Sequence, residues 1–421
     1  MKILIKNGYL VSMVSEIKKA DILIENDRIK KIGMITEEAD KVIDASNKVV
    51  MPGLVNAHTH VAMSLFRGYN DELELMNWLQ ENWKVEDLMK KEDVYYASML
   101  SGIEMLKSGT TTFNDHYFFE EQTAKVAEEL GLRAILARCI ISEGEGASTR
   151  IVDAENLYNA WHNKCDGRIK VCVGIHAPYT CPPDTIKRSL ELADRLGTPV
   201  HIHYLETQDE VDQIYENYDK SVTDYLKDLN LFNYHVILAH GVKVNDDDIE
   251  VLKNISGGIV HNPISNLKLG SGFAPIKKMR DAGINVALGT DGQGSTNTLD
   301  MFEEIKLAAY LQKGMFGTAT AISAKDVLEM ATIEGAKVLG IDSEVGSLEV
   351  GKKADIILID LDKPHLSPVH DIYSLLAYSV NGADVDTTII DGKIVMENRK
   401  ILGVDEKEIR ERVELARKRL F

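Results

Sequence analysis

Between about Met51 and Gly340, short apolar runs of strand character alternate with longer helical segments, eight times over. The runs are Leu54–His58, Thr110–Asp115, Arg133–Ile140, Ile169–His176, Pro199–His203, His235–His240, Gly258–His261 and Asn285–Asp291. Helical stretches at Lys91–Lys107, Glu120–Leu130, Thr185–Leu196, Asp246–Lys253 and Ala274–Ala282 separate most of them. Eight strand-then-helix units predict an α/β fold, a (β/α)8 barrel, which takes roughly 250 residues. The competing architecture is a doubly wound open sheet, but no GxGxxG follows the first strand to support a dinucleotide fold.

The flanks read differently. Residues 1–50 hold short strands at Ile3–Ile5, Ala20–Glu25 and Arg28–Ile32, the last two joined by an Asn26-Asp27 turn. Residues 345–421 supply a strand at Ala354–Asp360 and a hairpin from Thr387 to Glu397 around Asp391-Gly392. An amphipathic helix follows at Glu406–Arg419. Neither flank is long enough for a sheet with its own core, so the two are expected to combine into one small β-sandwich beside a barrel spanning residues 51–344.

Composition narrows the function. The 421 residues carry 48 Lys+Arg against 66 Asp+Glu, a formal charge of −18, which argues against a nucleic-acid or anionic-membrane binder. No apolar run approaches the ~18–20 residues of a membrane span. The four cysteines, Cys139, Cys165, Cys172 and Cys181, show neither CxxC spacing nor disulfide density, so a reducing cytoplasmic setting is expected.

The histidines are the informative residues. His58, His60, His176, His203, His240 and His261 each fall at or near the C-terminal end of a predicted strand, and Asp291 ends the eighth. In a barrel those ends share the rim on which active sites are built. His58-Thr59-His60 repeats at the strand period, which puts both imidazoles on one side. With His203 and Asp291 they make three nitrogen ligands and one oxygen ligand, a set suited to one divalent metal, Zn²⁺ with Fe²⁺ or Mn²⁺ as alternatives. Glu206 follows His203 by three residues, and a short turn would bring its carboxyl over the metal as a proton shuttle. His240 would reach the same water from the sixth strand.

These residues resemble the amidohydrolase superfamily, in particular its 5′-methylthioadenosine/S-adenosylhomocysteine deaminases and their archaeal-type 5′-deoxyadenosine branch. The likeness runs through Pro52–His60, His201–Thr207, His261–Gly270, Leu288–Gly292 and Gly346–Asp355. It implies hydrolytic deamination of 5′-modified adenine nucleosides by metal-activated hydroxide at C6, with Glu206, His240 and Asp291 catalytic. Glu206 and Asp291 would also touch the substrate. Trp78–Glu86 matches the segment whose glutamate binds the ribose hydroxyls, which makes Glu86 that residue. Arg138 and Arg150 would face the 5′ substituent, Arg150 from a Gly-rich loop, and His176 would contact the purine. Related barrels bridge a second metal with a lysine at the end of strand four. Here that position is His176 and Lys170 lies at the other end, so one metal per subunit is expected. Barrels of this kind often self-associate, and a homo-oligomer, dimer or tetramer, is expected. A free-base guanine or cytosine deaminase, another heterocycle hydrolase, and a non-catalytic scaffold remain the alternatives.

Overall fold

A computed structural model describes residues 1–142 and 146–421. Eight parallel strands form one sheet in chain order: Leu54–Thr59, Thr110–Tyr117, Arg133–Ile140, Ile169–Ile175, Val200–Tyr204, His235–His240, Ser256–His261 and Val286–Leu288. The eighth returns to the first through Asp291 N–H donating to the His58 carbonyl at 3.0 Å, so the sheet closes into the expected (β/α)8 barrel. Gly289 makes that closure possible. A Cβ there would stand 2.8 Å from the backbone N and O of His58 and 2.5 Å from Asn262 Oδ1.

The connecting helices follow from ordinary patterning. In Pro183–Leu196, Ile186, Ser189, Leu190 and Ala193 recur at helical spacing and are buried. Proline opens the first turn, and Gly197 ends the helix at φ +62°. The segments left unread in the sequence include helices at Leu75–Glu86, Gly146–Trp161, Gln208–Tyr218 and Met301–Phe316. No helix among the described residues is long and apolar enough to cross a membrane.

Both chain ends enter a second sheet of nine strands. Its central joint is Ile356–Asp360 lying antiparallel to Lys48–Pro52, with Ile356 opposite Pro52 and Asp360 opposite Lys48. On one side the sheet continues through Lys2–Leu10, Lys18–Glu25 and Arg28–Gly33; on the other it runs through Val385–Ile390, Lys393–Glu397 and Lys400–Ile401. The sheet folds over its own inner face. Ile3, Ile5, Ile22 and Ile24 from the N-terminal strands share one apolar cluster with Ile356, Leu358 and Ile389 from the C-terminal ones. Neither set could bury that face alone.

Barrel and sheet are joined at the barrel's N-terminal end by buried charge. Arg133, 1% exposed at the start of the third barrel strand, forks onto Asp355 with Nε–Oδ2 of 2.8 Å and Nη2–Oδ1 of 3.1 Å. It also reaches Asp391 at 3.3 Å, and Lys353 Nζ lies 2.9 Å from the same carboxylate. Breaking such a pair from one side strands an uncompensated charge. Arg133→Ala should therefore cost about 3–5 kcal/mol in denaturant unfolding. The surroundings of Asp291 should be unchanged in the folded variant, since Arg133 sits at the opposite end of the barrel.

Candidate active site

At the C-terminal rim the strand ends converge on one cluster. The ligand-type atoms of His58, His60 and His203 lie within 4.8 Å of one another, as do those of His58, His240 and Asp291. Asp291 Oδ1 is 3.0 Å from His60 Nε2 and 3.4 Å from His58 Nε2. His203 Nε2 is 3.4 Å from His60 Nε2.

The other ring nitrogens decide which face each imidazole offers. His60 Nδ1–H donates to the His116 carbonyl and His203 Nδ1–H to the His176 carbonyl, both at 2.6 Å. His240 Nδ1–H donates to Asn266 Oδ1 at 2.8 Å. Each bond turns Nε2 into the cluster, where that of His60 meets Asp291. His58 Nδ1 pairs with His201 Nε2 at 2.9 Å, and His58 Nε2 is buried with no hydrogen-bond partner among the described residues. That buried nitrogen, beside two further imidazoles and a carboxylate, fits a divalent cation of the zinc type.

Charge follows the same arrangement. Burial pushes His58 down to about 3 and holds His203 well below the usual imidazole value. Burial also lowers His60, but the hydrogen bond and charge of Asp291 outweigh it and bring His60 to about 9. Burial would raise Asp291, yet the nearby His58 and His60 imidazoles keep it well below the carboxylate range. Ser265 and Ser295 donate to its Oδ2 at 2.6 and 2.8 Å, which fixes the carboxylate plane. His240 (φ +82°) and Asp291 (φ +64°) both take left-handed backbone, so the chain turns off the strand direction as it presents these side chains.

Glu206 reaches the cluster by the expected turn. Leu205 sits at φ +49°, and the buried Glu210 carboxylate accepts from the N–H groups of Leu205 and Glu206 at 3.0 and 2.9 Å. Glu206 Oε2 then lies 3.6 Å from His240 Nε2. Burial raises the Glu206 carboxyl above its ordinary value, against the pull of His240.

His60, His203, Glu206, His240, Asp291, His176 and Glu86 line one cleft of about 700 Å³. His58 lies beneath it, fully buried. Glu86 accepts from the Tyr117 hydroxyl, and burial pushes its carboxyl up to about 7. Arg138 and Arg150 line an adjoining cleft of about 1130 Å³ that shares Trp83, Glu86, Phe118, Cys139 and Ile141 with the first. Arg138 Nη1 donates to the Cys139 carbonyl at 2.6 Å, and Arg150 Nη1 donates to the Ile141 carbonyl at 2.5 Å.

One expectation changes. Arg150 stands in the helix Gly146–Trp161 and not in a loop, because the polar stretch Ala147–Thr149 is already its first turn. The remaining loop residues, 143–145, lie outside the described residues. His261, grouped in sequence with the rim histidines, is buried outside both the cluster and the cleft lining.

Sequence reasoning missed the cleft wall formed by helix Leu75–Glu86. Leu75, Trp78, Leu79, Asn82, Trp83 and Glu86 all line the cleft. Their i, i+3, i+4, i+7, i+8, i+11 spacing was the available signal. It also missed Glu210, Ser265, Ser295, Asn266 and His201, whose polar side chains act only through neighbours brought together by the fold.

Comparison with known proteins agrees with this geometry. The amidohydrolase family model matches residues 49–395, and the chain belongs to that family. A protein of Caldanaerobacter subterraneus subsp. tengcongensis named 5-methylthioadenosine/S-adenosylhomocysteine deaminase is 50% identical, over 98% of this chain and 97% of its own. A 5′-deoxyadenosine deaminase of Methanosarcina acetivorans is 47% identical, over 99% and 98%. A zinc-bound crystal structure of an adenosine deaminase from Xanthomonas campestris superposes with a TM-score of 0.96 at 34% identity, covering 99% of this chain and 98% of that one. The chain is thus a metal-dependent hydrolase of the amidohydrolase type.

Chelator-stripped protein titrated with Zn²⁺ against a chromophoric competitor should bind one equivalent tightly and gain thermal stability. His201→Ala, which removes only the partner of His58 Nδ1, should weaken that binding by about 10–100-fold.

Proposed function

We propose that this chain hydrolytically deaminates adenine nucleosides modified at the 5′ position: 5′-deoxyadenosine, 5′-methylthioadenosine, S-adenosylhomocysteine and, as a further substrate, adenosine. One observation carries the reading. A raised-pKa carboxyl (Glu206), an imidazole (His240) and a histidine–carboxylate cluster face a cleft that leads past a second carboxyl, Glu86, to two arginines. The names of the similar proteins agree with it.

In this reading His58, His60, His203 and Asp291 hold the divalent cation. Bound there, it supplies Lewis-acid chemistry, lowering the pKa of a water from ~15.7 toward ~7. The chain's own groups do the rest. Glu206, whose proton affinity burial raises, donates to a ring nitrogen and makes C6 a better electrophile. Water oxygen bonds to C6 while His240 holds and polarises it. Asp291 takes the water proton and passes it to the amino group. The C6–N bond then breaks and releases ammonia, and the proton left on the C6 hydroxyl returns to Glu206, leaving the inosine analogue. Glu86 accepts from the ribose diol, and His176 borders the purine.

Arg138 and Arg150 meet the 5′ tail and can pair with an amino-acid carboxylate. A free base would leave Glu86 and both arginines unused, which disfavours the guanine and cytosine alternatives. A scaffold would have no need of a complete donor set. Cytoplasmic residence, a homo-oligomeric state, and a small molecule instead of nucleic acid or membrane as partner belong to the same reading. The −18 charge and the large apolar side chains Tyr310 and Met315, exposed on one helix, support it.

Glu206→Gln should keep its metal and lose about 10²–10⁴-fold in kcat. Near-normal turnover at matched metal content would remove Glu206 from its role. In a side-by-side kcat/KM comparison over the four nucleosides, Arg138→Ala and Arg150→Ala should cost about 10–100-fold on S-adenosylhomocysteine and only a few-fold on 5′-deoxyadenosine. Equal losses on all four would argue against the carboxylate pairing.

A further inference from the structure

On the helix Leu75–Glu86, Asn82 stands one turn before Glu86 and one turn after Trp78, and all three line the cleft. Asn82 is only 1% exposed, yet neither Nδ2 nor Oδ1 has a hydrogen-bond partner among the described residues. That is an unusual state for a buried amide, because its donors and acceptor lose water and gain nothing in exchange. Leu75 and Leu79 on the same helix show that apolar side chains are accommodated along this face. A leucine at position 82 would fill a similar volume without stranding two polar groups. The amide is therefore costly to the protein alone and useful only to something that enters the cleft.

We infer that Asn82 is a substrate-binding residue whose amide hydrogen-bonds the nucleoside beside the ribose held by Glu86. The inference rests on the nucleoside reading above. Four residues of helix separate Asn82 from Glu86 by about 6 Å along the axis, comparable with the reach from a ribose diol to the near edge of its base. An amide suits that position. It offers donors to a purine ring nitrogen or a hydroxyl oxygen, and an acceptor to a hydroxyl. Glu86, already bound by Tyr117, offers acceptors only when ionised.

A residue kept for its ligand has a signature opposite to that of a structural one. Asn82→Leu should raise the melting temperature of the metal-loaded, nucleoside-free enzyme by about 1–3 °C, since it removes an unpaired buried amide. The same substitution should raise KM for 5′-deoxyadenosine by about 10–100-fold, with a smaller change in kcat. Asn82→Ala repeats the KM test should leucine crowd the helix. The 2′-deoxy, 3-deaza and 7-deaza forms of the substrate identify the partner. The analogue that lacks the bonded atom should be insensitive to Asn82→Leu while the others lose in full. An unchanged KM in both variants, or an equal loss on every analogue, would overturn the inference. If the wild-type enzyme deaminates none of these nucleosides, the proposed function fails instead.

Discussion

The bond from Asp291 N–H to the His58 carbonyl closes the barrel and assembles the reactive centre together. It joins the eighth strand to the first and brings the Asp291 carboxylate to within 3.0–3.4 Å of His60 and His58. Gly289 permits the approach, since a side chain there would collide with the His58 backbone. Around this joint the Nδ1 bonds of His60, His203 and His240 turn three Nε2 atoms inward. Fold and chemistry therefore share one constraint: the eight strands must meet in register for the donor set to exist.

A division of labour runs along the barrel axis. At the N-terminal end, Arg133, Asp355, Asp391 and Lys353 fasten the barrel to the sheet built from both chain ends. At the C-terminal end, charged groups are arranged for reaction and binding. Burial raises Glu206 and Glu86, while close imidazoles hold Asp291 down, so carboxyls on one rim are shifted in opposite directions. Asn82 continues the pattern on the cleft wall, where polar groups left unpaired in the protein face the place a ligand takes.

Much of this was legible beforehand. The (β/α)8 order could be read because buried parallel strands and amphipathic helices differ in period and length. The metal donors could be read because His58, His60, His203 and Asp291 all fall at strand ends, and position along a strand translates directly into position on the rim. His261 obeys the same rule and yet lies outside the centre. Strand-end position gives the height of a side chain in the barrel but not what it meets there. Gly, Ser and Thr before Arg150 weaken a helical pattern in the sequence, while packing of Ile151, Ala154 and Leu157 against the core favours the helix.

By itself the sequence determined the architecture and the set of histidines and a carboxylate able to hold a metal, since each rests on residue type at a local period. Only the tertiary structure decided which partners tune them. Glu210 under Glu206, His201 behind His58, Ser265 and Ser295 on Asp291, and Tyr117 on Glu86 are ordinary polar residues whose roles come from contacts mostly between separate elements. Hydrogen bonds act over about 3 Å, and no pattern along the chain records which distant side chains folding will bring that close.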